Sequence, residues 1–170
     1  FSYIRAVPTR IYNFQREFCL QSTRYRGTDA YFGLVLALAK CKGDTEPHQA
    51  KAHHCDGVAF LVSKDQAADT CAYLYEREMQ HYSYVPTWIP ADFSLGGQIQ
   101  NAADQGTTDT EKAKARVLAF VIDPTKPTYH GNLSFEQTAE RISKAVGPKG
   151  TNRDYLFETV EALKTQNLVD

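Results

Sequence analysis

The chain has 170 residues, 42% of them hydrophobic and 23% charged, with a net charge of −1. That balance suits one soluble globular domain and argues against retention by bulk charge on a nucleic acid or an anionic membrane. No apolar run is long enough to cross a bilayer, and Cys19, Cys41, Cys55 and Cys71 are too sparse for a secreted disulfide scaffold, so reduced thiols in a cytoplasm are expected.

Taken in chain order, Tyr31–Leu38 is a short apolar run that reads as a buried strand. Lys40 to His54 is polar and reads as a long loop. It is flanked by or contains Cys41, His48, His53, His54 and Cys55, whose side chains have ligand chemistry. Their spacing fits no closed C-x-x-C arrangement, and no metal site is expected. Gly57–Val62 reads as a second strand. Ser63-Lys64-Asp65-Gln66 has the S-x-x-Q pattern of a capping box and opens a helix running to about Gln80. Tyr82 to Ile89 reads as a third strand, which Pro86 assigns to a sheet edge or a bulge. Ser94 to Thr110, rich in Gly, Asn, Asp, Gln and Thr, reads as a second long loop. Arg116–Ile122 is a fourth strand. Ser134-Phe135-Glu136-Gln137 is a second capping box, and Thr151 or Asn152 can cap a last helix after the turn Gly147-Pro148-Lys149-Gly150. Four or more strands with three helices, not in strict alternation, predict an α+β fold in a single domain over 1–170.

The first helix carries a carboxylate where an apolar residue is expected. At about 100° per residue, Ala67, Cys71, Leu74 and Glu78 fall within about 40° of one another, while Glu76 lies on the opposite side. Glu78 therefore sits on the stripe expected to be buried, in the last turn, where the helix dipole disfavours an anion. Both effects raise a carboxyl pKa toward the range needed for general acid–base work. The plain alternative is that Glu78 pairs with an arginine such as Arg26, or reaches water as the helix ends.

At Tyr73-Leu74-Tyr75-Glu76-Arg77-Glu78-Met79 the sequence resembles the helix motif of the ChaC family, the glutathione-specific γ-glutamylcyclotransferases. Three more segments match in the same order. Phe18–Thr28, containing Ser22-Thr23-Arg24-Tyr25-Arg26-Gly27-Thr28, leads into Gly33–Leu38. Ala119–Pro124 precedes Pro127-Thr128-Tyr129. Gly147–Thr159, containing Gly150-Thr151-Asn152-Arg153-Asp154-Tyr155-Leu156, is the most specific block. The resemblance implies a small mixed β-barrel with flanking helices and conversion of glutathione to 5-oxoproline and cysteinylglycine. Glu78 is then the acid–base residue, and neither a metal nor another cofactor is required. The substrate's own α-amine attacks its γ-carbonyl, so one molecule supplies both reacting groups.

The resemblance has a gap. The family's N-terminal Tyr-Gly-Ser-Leu segment, whose loop amides are suited to holding a carboxylate, is absent from this sequence. With Met79 the only methionine, Phe1 is not expected to be a translation start, and a first strand is expected to lie upstream. Candidate substrate-binding residues are Ser22, Arg26, Tyr84, Asn152 and Tyr155. All but Tyr155 have a structural alternative: local hydrogen bonding for Ser22 and its neighbour Thr23, an ion pair for Arg26, packing for Tyr84 and helix capping for Asn152. Tyr129 is expected as a packing anchor. The expected partner is a small molecule, glutathione, with no nucleic acid and no membrane. A cyclotransferase for other γ-glutamyl compounds, or a non-catalytic binding module on the same fold, are the alternatives.

Overall fold

The computed structural model describes residues 1–42, 53–96 and 115–168. They fall into two compact units, Phe1–Gln15 with Lys40–Val121 and Arg16–Ala39 with Ile122–Asp170. The fold is α+β, as expected from the mixture of elements.

The first unit contains β1 (Arg5–Tyr12), β4 (His54–Leu61), α1 (Ala67–Glu78), β5 (Tyr84–Asp92) and β6 (Arg116–Ile122), with a 3₁₀ turn at Ser94–Gly96. Its strand order is β6-β5-β1-β4. β1 runs antiparallel to β4 from Arg5↔Leu61 to Tyr12↔His54 and meets β5 at Arg10↔Asp92 and Ile11↔Ala91. Val7, Thr9 and Ile11 are buried while Ala6 and Pro8 are exposed, the period of two that the pleat imposes. Ile89 and Cys55 add to this core. On the face opposite Ile11, Arg10 donates to both oxygens of Asp56 at 2.6 and 2.8 Å. Asp92 accepts from the Ser94 amide at 2.9 Å and from the Tyr12 hydroxyl at 3.3 Å. Those hydrogen bonds, with Arg10 nearby, hold the Asp92 carboxyl below its ordinary pKa.

Two expectations are corrected in this unit, the sheet-edge placement of Pro86 and the Ser63 capping box, and one further strand is present. The β5 strand has neighbours on both sides, β6 and β1, so Pro86 lies in an interior strand; the β1 register sits at Ala91 and Asp92, clear of the proline. The capping box at Ser63 does not form. The Gln66 amide donates to the Ser63 carbonyl in a turn, and Gln66, without a side-chain cap, precedes a helix that starts at Ala67. β1 is an element the sequence reading did not identify: three alternating residues interrupted by Pro8 and Arg10 give a weak apolar signal.

The second unit contains β2 (Phe14–Ser22), β3 (Gly33–Lys40), α2 (Phe135–Lys144), the short hairpin β7 (Val146–Gly147) and β8 (Gly150–Thr151), and α3 (Asn152–Thr165). β2 and β3 are adjacent. β2 was also not anticipated, since its residues are mostly half-buried and include Arg16 and Glu17. The capping box at Ser134 forms as expected, with Gln137 reciprocating, and Thr151 caps α3 by accepting from the Asp154 amide at 3.0 Å. Tyr129 forms a bridge to Leu20, and the His130 amide donates to the Cys19 carbonyl at 2.7 Å. The Phe32 ring lies between His130, stacked at 4.3 Å, and the Arg141 guanidinium at 3.8 Å. Burial, then the Arg141 charge, lowers the His130 pKa from the ordinary 6.5.

Most of the loops expected at 40–54 and 94–110 lie outside the described residues, with His48 among them. Lys40 ends β3, His54 begins β4, and Ser94–Gly96 is the 3₁₀ turn.

The Arg26 loop packs backbone against backbone. A Cβ on Gly27 would lie 2.1 Å from the Gly33 nitrogen and 2.6 Å from the Ser22 carbonyl oxygen, and one on Gly147 would lie 2.4 Å from the Tyr25 oxygen. In β4, by contrast, a Cβ on Gly57 would meet nothing within 4 Å. Gly27→Ala should therefore lower the unfolding free energy by at least about 1–3 kcal/mol in urea titration, while Gly57→Ala is neutral or slightly stabilising.

A second prediction concerns pH. Above about 6.5 His130 is neutral in both folded and unfolded chains; below it the unfolded chain takes up the proton first. Stability should decline as pH falls from 7 toward 5, and urea titrations of His130→Phe should show a smaller decline over that window.

Candidate functional site

Glu78 closes α1. The covered line of this helix runs through Thr70, which is buried, and Leu74 and Glu78, which are half-buried. Ala67 and Cys71 are exposed, so the covered side is rotated from the stripe expected by periodicity, yet Glu78 stays on it and Glu76 faces water. Tertiary packing selects the side; an alanine and a cysteine are apolar enough to lie on either.

The partner of Glu78 is its neighbour in sequence. The Arg77 Nε donates to Glu78 Oε1 at 2.6 Å, and Arg77 Nη2 meets the same oxygen. This pairing raises the Arg77 pKa from its ordinary value. Arg26 forms its ion pair with Glu158. The Glu78 side chain is 22% exposed and Arg77 56% exposed, so the pair sits at the boundary of the covered line. Both of these contacts fall on one carboxyl oxygen, Oε1. Tyr84 begins β5 and is half-buried, following Ser83, which is buried.

The other four candidates belong to the second unit, where they form a connected group. Ser22 ends β2, and its Oγ accepts from the Arg26 amide at 3.2 Å. Arg26 donates from Nη1 to the Thr151 carbonyl at 3.3 Å and from Nη2 to Glu158 Oε2 at 2.9 Å. The guanidinium lies over the Tyr155 ring, 5.4 Å from its centre. The Tyr155 hydroxyl accepts from the Leu36 amide at 3.3 Å, and the ring packs edge-on to Phe18.

Asn152 is fully buried. Its Oδ1 accepts from the Leu34 amide at 2.6 Å, its Nδ2 donates to the Leu34 carbonyl at 2.7 Å, and its own amide donates to Ala145 O. The capping role considered for Asn152 belongs to Thr151. The Asn152 side chain instead gives Leu34 what a neighbouring antiparallel strand would give a residue in a hydrogen-bonded pair. Its amide is engaged with β3 at both ends.

Sequence reasoning did not single out Arg77, Thr151 as a partner of Arg26, or Glu158. The signal for the last two was present: Thr151, Tyr155 and Glu158 follow one another at helical spacings of four and three, which places them along one side of α3. Among the metal candidates, His53 is exposed and Cys55 buried, its Sγ 3.9 Å from the Asp56 carbonyl oxygen. Among the described residues no helix is long and apolar enough to cross a membrane.

The α+β fold is one shared with solved structures. A crystal structure of a γ-glutamylcyclotransferase specific to glutathione from yeast superposes with a TM-score of 0.70 at 22% identity, covering 95% of this chain and 80% of that one. A family model described as ChaC-like protein matches residues 1–170. The chain belongs to the ChaC-like family. It is 30% identical over 148 residues to the glutathione-specific γ-glutamylcyclotransferase of Escherichia coli strain K12, covering 87% of this chain and 52% of that protein. It is also 30% identical over 169 residues to γ-glutamylcyclotransferase 2-3 of Arabidopsis thaliana, covering 96% of this chain and 72% of that protein. The chain thus spans about half the length of the bacterial relative.

Removing the Asn152 amide strands both polar groups of Leu34, which is itself 0% exposed. Asn152→Ala should cost about 2–5 kcal/mol of stability, read by urea titration, with the loss spread between two unsatisfied groups.

Proposed function

We propose that this chain carries a γ-glutamylcyclotransferase that converts glutathione to 5-oxoproline and cysteinylglycine, with Glu78 as general acid–base. The observation that carries this reading is Glu78 itself, a carboxyl held on the covered line of α1 inside the motif that resembles the family's catalytic helix. Glu78 takes a proton from the substrate's α-ammonium. The freed amine attacks the γ-carbonyl and the new C–N bond closes the five-membered ring; the bond to the cysteinyl nitrogen breaks as Glu78 returns its proton to the departing amine, which also takes up the second proton that the ring nitrogen sheds. Arg77, on Oε1, orients the carboxyl.

Within the second unit, Arg26 supplies a cation that suits a carboxylate. Ser22 and Tyr155 hold the Arg26 loop and guanidinium, Tyr84 follows the catalytic helix as a packing and orienting residue, and Asn152 acts through β3. Charge and cysteine usage support a cytoplasmic setting. The substrate and both products are small molecules, and the cyclisation needs no cofactor or metal, since the nucleophile and the electrophile belong to one substrate.

The name of the Arabidopsis relative carries no glutathione qualifier, which makes other γ-glutamyl amides the second reading for substrate. The deciding assay is 5-oxoproline release from glutathione and from γ-glutamyl-alanine, with wild type beside Glu78→Gln. Glutamine keeps the shape and cannot shuttle the proton, so a folded Glu78→Gln protein should lose at least about 100-fold in kcat. Turnover of γ-glutamyl-alanine alone moves the substrate to the second reading. Release from neither substrate by wild type sinks the enzyme reading, leaving a binding module on this fold.

A further inference from the structure

Consecutive residues of a helix point about 100° apart, so α1 by itself does not bring the Arg77 guanidinium to the Glu78 carboxyl. The two meet all the same, with Nε 2.6 Å from Oε1 and Nη2 on the same oxygen. Most of the Arg77 side chain is exposed, and an arginine so placed spreads over many rotamers unless something holds it. Tyr73 is the residue placed to do so. It stands four residues before Arg77, one turn back on the same side of α1, and its ring centre lies 6.0 Å from the guanidinium carbon. After the Glu78 hydrogen bond, Tyr73 is a lesser cause of the raised Arg77 pKa. The ring is anchored in turn within the same unit. Phe1 lies 6.4 Å from it, Phe1 meets Phe60 of β4 edge-on at 6.1 Å, and Tyr3 packs on Phe60 at 4.8 Å. Such rings have two torsions each, so contacts among them fix an orientation at a small entropic cost.

We propose that Tyr73 is a positioning residue for the acid–base carboxyl and acts through Arg77: the ring fixes the guanidinium, and the guanidinium fixes Glu78. What Glu78 then does rests on the cyclotransferase reading; the coupling of the three side chains does not. A carboxyl held in one rotamer spends more of its time where it can transfer a proton, so Tyr73 acts on turnover and leaves substrate affinity alone.

The test joins two measurements on the full chain. The first is exchange with water of the Arg77 Nε–H, followed by its ¹H–¹⁵N signal and identified by the loss of that signal in Arg77→Lys. Exchange should quicken about two- to five-fold in Tyr73→Leu, the range an exposed cation–π contact spans, and stay near the wild-type rate in Tyr73→Phe, which keeps the ring. The second is 5-oxoproline release from glutathione. Tyr73→Leu should lower kcat by about the same two- to five-fold with KM unchanged. In an Arg77→Gln background it should lower kcat no further, because a residue that works through Arg77 has nothing to act on once the guanidinium is gone. A Tyr73 that only stabilised the fold would give additive losses, and additive losses overturn the proposal. So does unchanged exchange in Tyr73→Leu, or a Tyr73→Phe protein that exchanges as fast as Tyr73→Leu. Tyr73 lies at the surface, and its replacement leaves the buried residues of the unit in place. Absent turnover by wild type, with the quicker exchange in Tyr73→Leu intact, refutes the cyclotransferase reading and leaves the coupled side chains standing. Turnover that Tyr73→Leu does not slow refutes the part given to Tyr73 and leaves that reading in place.

Discussion

The side-chain amide of Asn152 stands in for a strand. By exchanging both hydrogen bonds with Leu34 from a fully buried position, it closes a place in the second unit where a peptide group would otherwise be left without a partner. The same residue starts α3 and donates its own amide to Ala145, just beyond α2. One side chain thus ties β3, the end of α2 and the start of α3 to a common point. The Arg26 loop depends on that point being rigid. Its backbone passes so close to Gly33 and Gly147 that no Cβ fits between the segments, and a Cβ on Gly33 would lie 2.8 Å from Asn152 Oδ1. A buried polar group with every partner in place specifies one arrangement because each alternative leaves a donor or acceptor stranded in a medium that cannot solvate it.

Three arginines then show how burial decides what an ion pair is for. Arg10 and Asp56 lie directly opposite one another on paired strands, meet at two points, and act as a cross-strand fastener. Arg77 and Glu78 are neighbours in the chain, so their contact closes no loop and contributes nothing to tertiary structure. Its effect is local, holding one carboxyl oxygen, Oε1. Arg26 is the intermediate case, with its cation covered and its anion at the surface. The fastener is covered on both sides, while each of the other two pairs has one member covered and one at the surface.

Much of this was legible in the residues. The β6 strand has the limits that its apolar run announces, and the Ser134 box and the Thr151 cap form because those signals are satisfied by amides within three residues. Glu78 was visible as a carboxyl on the wrong side of a helix, and it remained on the covered line even though that line is rotated away from Ala67 and Cys71. Where reading failed, the competing interaction came from near or far in ways periodicity does not record. At Ser63 a backbone turn took the amide that the box required. β1 and β2 were passed over because Pro8, Arg10, Arg16 and Glu17 dilute the alternation that their burial then restores.

What the sequence by itself determined are the interactions whose partners lie within a helical turn, namely caps and short apolar strands, together with the run of motifs that marks the ChaC-like family. Tertiary structure alone decided the rest. Asn152 finds Leu34 across 118 residues, Arg26 finds Thr151 across 125 and Glu158 across 132, and these contacts turn a capping residue into a strand surrogate and a free arginine into a covered cation. The physical reason is that burial depends on the whole chain. Whether a polar side chain is solvated, paired or stranded is settled by segments remote in sequence, and no local pattern carries that information.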